Sequence, residues 1–244
     1  MLSKFITLIT NPARVIDYIY HRRKYHAEIK ERALLKTVNR FEEMDTGLLK
    51  RRYQTFEDYI NHQCSRPKPT DEEMVEAYKN RLDYFKEEHA KVINVEADKG
   101  KSILCLGARD GAEVEAFRHY GMLAVGMDIS FQEQNEYVHF GDFHNVPYPN
   151  DIFDYVYMNT LNHALDPKQV IEEVRRVLKP KGGVFIIDLR YGVEENAVLE
   201  GRHHSIAWKT QNQATDMIEL VGFTQVYDDH LKRKPFCRYK YEIT

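Results

Sequence analysis

The chain has 244 residues, is 43% hydrophobic and 30% charged, and carries a formal net charge of -3. That length can bury a sizeable core in one α/β domain with an extension, or in two small domains. The net charge argues against a protein that coats nucleic acid. Cys64, Cys105 and Cys237 are widely spaced and odd in number, so they form neither a disulfide framework nor a metal-ligand pattern. A reducing, cytoplasmic compartment and no metal are therefore expected. No apolar run reaches the roughly 18 residues that a spanning helix needs.

Residues 1–98 read as a helical segment. Leu2, Phe5, Ile6 and Ile9 fall on one helical face, and Asn11-Pro12 restarts a helix with Val15, Ile16, Ile19 and Tyr20 along its apolar face. Residues 1–36 hold eight Lys/Arg against three Asp/Glu. An apolar stripe with basic flanks fits peripheral contact with an anionic membrane surface; it fits equally a helix packed on the domain or on a partner. "SRPKP" at 65–69 reads as a linker. Thr70 with Glu73 then forms a capping box before a helix whose core stripe is Met74, Tyr78, Leu82, Phe85, His89 and Val92.

From residue 99 the pattern alternates strand and helix. "SILCLG", "MLAVGMD", "YVHFGD", "DIFDYVYMN", "GGVFIIDL", "FTQVYDD" and "CRYKYEIT" read as seven strands, with helices at "AEVEAFRHY", "PKQVIEEVRRVLK" and "ATDMIELVG". The fold class expected for 99–244 is α/β: a Rossmann-like, doubly wound, seven-stranded sheet, mostly parallel. The last two strands are joined without a helix and should be antiparallel, which reverses one strand near the C-terminus.

In such a sheet ligands bind beyond the carboxyl ends of the strands, where the strand order switches. Gly107 and Gly111 flank the first strand–helix turn at that end, and the helix start offers free N–H groups. Asp128 ends the second strand, 21 residues after Gly107, where an acid can accept both ribose hydroxyls of a nucleoside. Glycine turn and acid together point to a nucleoside ligand.

The stretch from Gly141 to Leu189 resembles the class I S-adenosylmethionine-dependent methyltransferases, in particular their type-11 branch. The residues that carry the resemblance are Gly141-Asp142, Val146-Pro147-Tyr148, Phe153-Asp154, His163, Asp166-Pro167, Glu173, Arg176-Val177-Leu178-Lys179-Pro180 and Gly182-Gly183. The likeness covers about residues 101–190. It implies that Gly107, Ala108, Arg109 and Gly111 line the methionine part of S-adenosylmethionine and that Asp128 binds the ribose. It further implies that Ile129 packs on the adenine, that Asp142 bonds the adenine amino group beside Phe143, and that Asn159 borders the methionine end.

Two positions depart from the family pattern. Cys105 stands where an acid is frequent, and Arg109 replaces the middle glycine. Arg109 either pairs with the cofactor carboxylate or is a surface arginine. Glu113 either takes over from the missing acid or is a solvated helix-start glutamate. Cys105 reads as a small core residue.

For methyl transfer, His163 after the fourth strand and His203 and His204 in "GRHHSIAW" are the candidate catalytic residues; the alternatives are a structural histidine and a surface loop. Asp188 and Arg190 are candidates for holding a polar substrate at the same rim, and Tyr191 and Trp208 for stacking on one. The activity expected is methyl transfer to a small-molecule or glycan-type acceptor at oxygen, with nucleic acid not a partner. The rival reading is a catalytically inactive methyltransferase fold serving as a binding or regulatory subunit, for which Cys105 and Arg109 speak. A nicotinamide-dependent oxidoreductase is disfavoured by the "RVLKPKGG" block.

Overall fold

The computed structural model describes residues 41–65, 71–130, 136–195, 203–231 and 236–243. The helices read at 1–36, with the membrane contact drawn from them, Thr70 of the capping box and the tip of the last hairpin lie outside these residues. Among the described residues no helix is long and apolar enough to cross a membrane.

In chain order the elements are strands β1 (Phe41–Glu43) and β2 (Leu49–Arg51), helices α1 (Phe56–Cys64) and α2 (Asp71–His89), strand β3 (Ser102–Leu106), helix α3 (Ala112–His119), and strands β4 (Leu123–Asp128), β5 (Val138–Phe140) and β6 (Tyr155–Met158). Helix α4 (Pro167–Val177), strands β7 (Val184–Arg190) and β8 (Ile206–Ala207), helix α5 (Gln211–Leu220), and strands β9 (Phe223–His230) and β10 (Phe236–Ile243) follow. All seven expected strands are present. They form one sheet in the order β5-β4-β3-β6-β7-β10-β9, in which only β10 runs against its neighbours.

The apolar strand runs are continuous because both faces of the sheet are covered. Leu104, Leu106, Val156 and Ile187 share a core with Val170, Ile171 and Val174 of α4 and Ile218 of α5. Ile103, Cys105, Tyr157 and Ile186 face the other way, onto Phe85 of α2 and Val114 and Phe117 of α3. Helix α4 starts where the sequence dictates: Asp166 caps it by accepting from Gln169 N at 3.1 Å, and Pro167 occupies the first turn.

The N-terminal part differs from an all-helical segment. β1 and β2 form a hairpin, and β2 pairs with β8, Leu49 opposite Ala207 and Lys50 opposite Ile206. Two strands of three residues are too short to show a period of two, so only the edge offered by β8 defines them. This small sheet anchors α1 over the carboxyl ends of β3, β4 and β6, the end at which the chain turns from β3 to β4 on one side and to β6 on the other.

Candidate active site

The turn after β3 is built to lie flat on β4. Gly107 N and Ala108 N both donate to the Met127 carbonyl, at 2.8 and 3.2 Å. Gly107 has φ +75°, and a Cβ on it would meet Thr160 Oγ1 at 2.2 Å, so a side chain is excluded twice over. Arg109 also has a positive φ, +40°, a conformation that glycine adopts freely and arginine does not. Its backbone N–H donates to Asp128 Oδ2 at 2.9 Å. Its guanidinium lies 3.5 Å from Asp110, which is also paired with Arg81 of α2. Gly111, at φ +79°, opens α3 without a side-chain cap, which leaves the first N–H groups of that helix to their surroundings.

Two carboxylates stand at adjacent strand ends. Asp128 closes β4 at 9% exposure, with Oδ1 taking the Ser130 N–H at 2.7 Å and its hydroxyl at 3.0 Å. The Gly141 N–H donates to the Asp128 carbonyl at 3.1 Å, which brings Asp142 alongside. Asp142 Oδ1 accepts the His144 backbone N–H at 2.9 Å and faces His144 Nδ1 at 2.6 Å. His144 Nε2 accepts the Leu165 and Asp166 amides, at 3.0 and 3.2 Å, so its proton sits on Nδ1 and points at Asp142. Burial pushes the Asp142 carboxyl up, but the bonds from His144 outweigh it and hold the group below the usual carboxylate range. Ile129 and Asn159 are half-buried, and Phe143 is buried beside His144, ring centroids 5.0 Å apart.

Glu113 is not a solvated helix-start residue. It is 5% exposed, and burial pushes its carboxyl up to about 8, against the pull of its own backbone N–H and of Arg109. It lies close enough to Cys105 and Asp128 for their charges to matter. Cys105 is fully buried in the sheet, as a core residue would be.

The histidines meet in one place. His163 ends a 3-10 turn, Leu161–His163, directly after Thr160, and its ring stands edge-on to His204 with centroids 5.5 Å apart. His204 is buried at 8% exposure, and its carbonyl accepts from Arg51 Nε. His203 is half-buried, its ring tilted against that of His62 of α1 with centroids 5.3 Å apart, and faces the His62 carbonyl through Nδ1 at 3.0 Å.

Helix α1, which sequence reasoning passed over, supplies the wall between these histidines and the carboxylates. Gln63 bridges His163, the His203 carbonyl and Ser205. Buried Tyr59 sits edge-on to His144, and burial together with the charges of Asp142 and Asp128 pushes its hydroxyl up. Cys64 Sγ reaches the Ile129 carbonyl at 3.8 Å. The sequence signal was Thr55-x-x-Asp58, a reciprocal capping box with bonds of 3.1 and 3.0 Å.

Two rim candidates turn inward instead. Asp188 is 5% exposed and locked to Arg238 by bonds of 2.5 and 2.7 Å, with the Tyr157 hydroxyl on the same carboxylate at 2.7 Å. Trp208 is 4% exposed, and its Nε1 donates to the Arg190 carbonyl at 2.7 Å. Neither is available to a substrate. A cleft of about 590 Å³ lined by Lys168, Glu172, Arg175, Arg176 and Leu220 lies at the amino ends of the parallel strands, away from all of these groups.

Residues 104–187 match the family model of the methyltransferase domain. This segment is a methyltransferase domain. It contains the turn, both carboxylates and His163, while Gln63, Tyr59, His203 and His204 lie outside it. Its Glu173 and Arg176 are braces: Glu173 accepts from Val146 N at 2.7 Å, and Arg176 donates to the Val146 and Tyr148 carbonyls at 2.8 Å each. Over 100 residues the chain is 31% identical to a demethylmenaquinone methyltransferase of Clavibacter sepedonicus, a match spanning 40% of each protein. The chain thus spans less than half the length of this curated relative.

Solved structures share the fold. A Pyrococcus horikoshii OT3 protein has a TM-score of 0.54 at 23% identity, covering 68% of this chain and 91% of its own. A Burkholderia thailandensis 1,6-didemethyltoxoflavin-N1-methyltransferase, solved with 1,6-didemethyltoxoflavin and S-adenosylhomocysteine, also reaches 0.54, at 13% identity over 84% of this chain and 99% of its own.

Proposed function

We propose that this chain is an S-adenosylmethionine-dependent methyltransferase acting on a small-molecule acceptor at oxygen. The observation that carries the reading is the pairing of Asp128 and Asp142 at neighbouring strand ends, under the Gly107–Gly111 turn and within the methyltransferase domain. The acceptor set suits an adenosine. Asp128 Oδ2 spends one of its two acceptor directions on Arg109 N and keeps the other for a ribose hydroxyl. Asp142 takes both His144 bonds on Oδ1, and among the described residues no bond reaches Oδ2, which leaves it for the adenine amino group.

When bound, the cofactor supplies a methyl group on a positively charged sulfur, which makes the methyl carbon electrophilic. Gly107, Ala108 and Asn159 border the methionine part, and Ile129 and Phe143 flank the base. Glu113 supplies the acid that Cys105 does not, at the start of α3 rather than at the end of β3. The work left to the protein is to align the acceptor and exclude water. Helix α1 serves the second task by covering the carboxyl ends of the strands. An acceptor O–H also needs a proton acceptor, and His163, with His203 and His204 close to it, is the group proposed for that role. Trp208 gives no support to a stacking sugar site, so of the two aromatic residues offered for a glycan-type acceptor only Tyr191 remains.

The test is a transfer assay with methyl-labelled S-adenosylmethionine against panels of small hydroxylated acceptors and sugars, with Asp128→Ala as the control. Label moving to an acceptor with the wild type alone supports the reading. Cofactor binding without transfer to any acceptor favours a regulatory subunit, the reading for which Cys105 and Arg109 speak.

A further inference from the structure

The hydrogen bonds of Gln63 decide where the proton of His163 sits. Gln63 is 5% exposed, and its Nε2 donates to the His203 carbonyl and to Ser205 Oγ, both at 2.9 Å. The carbonyl can only accept, so this end of the amide is the NH2 group. The opposite assignment would set two acceptor oxygens 2.9 Å apart. Gln63 Oε1 therefore is the atom 3.1 Å from His163 Nδ1. An amide oxygen accepts and never donates, so Nδ1 carries the hydrogen, and in the neutral ring the lone pair falls on Nε2. Ser205, fully buried, and Tyr53, whose hydroxyl is 2.8 Å from both Ser205 Oγ and His62 Nδ1, hold the Gln63 side chain from behind.

We infer that Gln63, contributed by a helix outside the methyltransferase domain, is a positioning residue that fixes His163 as the Nδ1–H tautomer and so makes Nε2 its proton-accepting atom. The inference rests on the proposed transfer to oxygen. In that step the acceptor O–H bond breaks, and its proton goes to His163 Nε2. The oxygen electron pair forms the new bond to the methyl carbon, and the pair of the breaking carbon–sulfur bond stays on sulfur, which becomes a neutral thioether. A free imidazole prefers its proton on Nε2, which would present a donor where an acceptor is required.

The experiment reads the tautomer directly, by two-bond nitrogen–proton correlation in the full-length, nitrogen-15-labelled protein above pH 7, with His163 assigned through His163→Asn. The expected result is the Nδ1–H pattern in the wild type and a shift to the Nε2–H pattern in Gln63→Leu. The Nε2–H pattern in the wild type, or no shift in a folded Gln63→Leu, overturns the inference. No cofactor or acceptor is present in the measurement. Failure of the methyltransferase reading would instead appear as absent cofactor binding, whichever tautomer His163 holds.

Discussion

The backbone N–H of Arg109 donates to the Asp128 carboxylate at 2.9 Å, so the end of β4 holds the turn after β3 in place. Asp128 therefore holds the loop in addition to the ribose contact proposed for it. Asp128→Asn keeps an oxygen that can still accept the Arg109 N–H but loses the charge. It should weaken S-adenosylhomocysteine binding about tenfold with little loss of stability, and Asp128→Ala should do more on both counts, about 1–3 kcal/mol for the unsatisfied partners. Calorimetric titration and thermal unfolding of both variants check this. Unchanged affinity in both variants removes the ribose assignment.

Arg109 sits at φ +40° in a place where glycine needs no compensation. Arg109→Gly should relieve strain of about 1 kcal/mol, partly offset by the larger entropy of the unfolded chain. The cofactor affinity should stay within a few-fold of wild type, since the guanidinium faces Asp110. Denaturant unfolding and calorimetry measure the two quantities. A loss of affinity above tenfold would show that the guanidinium contacts the cofactor.

Glu113 has its carboxyl pushed up to about 8 by burial. The folded protein thus holds a proton that the unfolded chain, titrating near 4.3, releases. Stability contributed by this group is present below about pH 4 and falls as the pH rises toward 8. Glu113→Gln should flatten that decline and add about 1–3 kcal/mol at pH 8. A cation bound beside Glu113 favours its ionised form, so S-adenosylmethionine binding between pH 7 and 8 should release a proton. Titration in buffers of different ionisation enthalpy reads the release, and Glu113→Gln should abolish it.

His89 is fully buried between Phe117, stacked at 3.9 Å, and Phe85 at 5.2 Å, and neither ring nitrogen has a hydrogen-bond partner among the described residues. Burial first, and the charge of Arg238 second, hold it well below the ordinary histidine range. The unfolded chain gains a proton near pH 6.5 that the folded one refuses, so stability falls as the pH drops through that value. His89→Phe should remove this acid dependence and add about 1–2 kcal/mol at neutral pH by eliminating two orphaned polar atoms. Urea unfolding from pH 5 to 8 tests it. Equal acid sensitivity in variant and wild type would place the cause elsewhere.

Much of the fold could be read because the sheet is covered on both faces. Its strands are apolar runs, and the helices between them carry stripes such as Val170, Ile171 and Val174. Asp128 could be singled out because it ends a strand 21 residues after Gly107, and Asp142 because the Gly141–Leu189 stretch resembles the methyltransferase pattern. The rest depends on partners far away in sequence. Helix α1 buries only Tyr59 and Gln63, one of them polar, so it shows no stripe. Asp188 looks like a rim acid until β10 lies against β7 and sets Arg238 opposite it. His144 looks like a loop residue until the amides of Leu165 and Asp166 reach its ring.

The most direct test of the cofactor site is calorimetric titration of the purified protein with S-adenosylmethionine and S-adenosylhomocysteine, with a nicotinamide dinucleotide as control. Micromolar binding of both sulfur ligands and none of the dinucleotide is the predicted result. No binding of either sulfur ligand by the folded protein would contradict the assignment of Asp128, Asp142 and the Gly107–Gly111 turn.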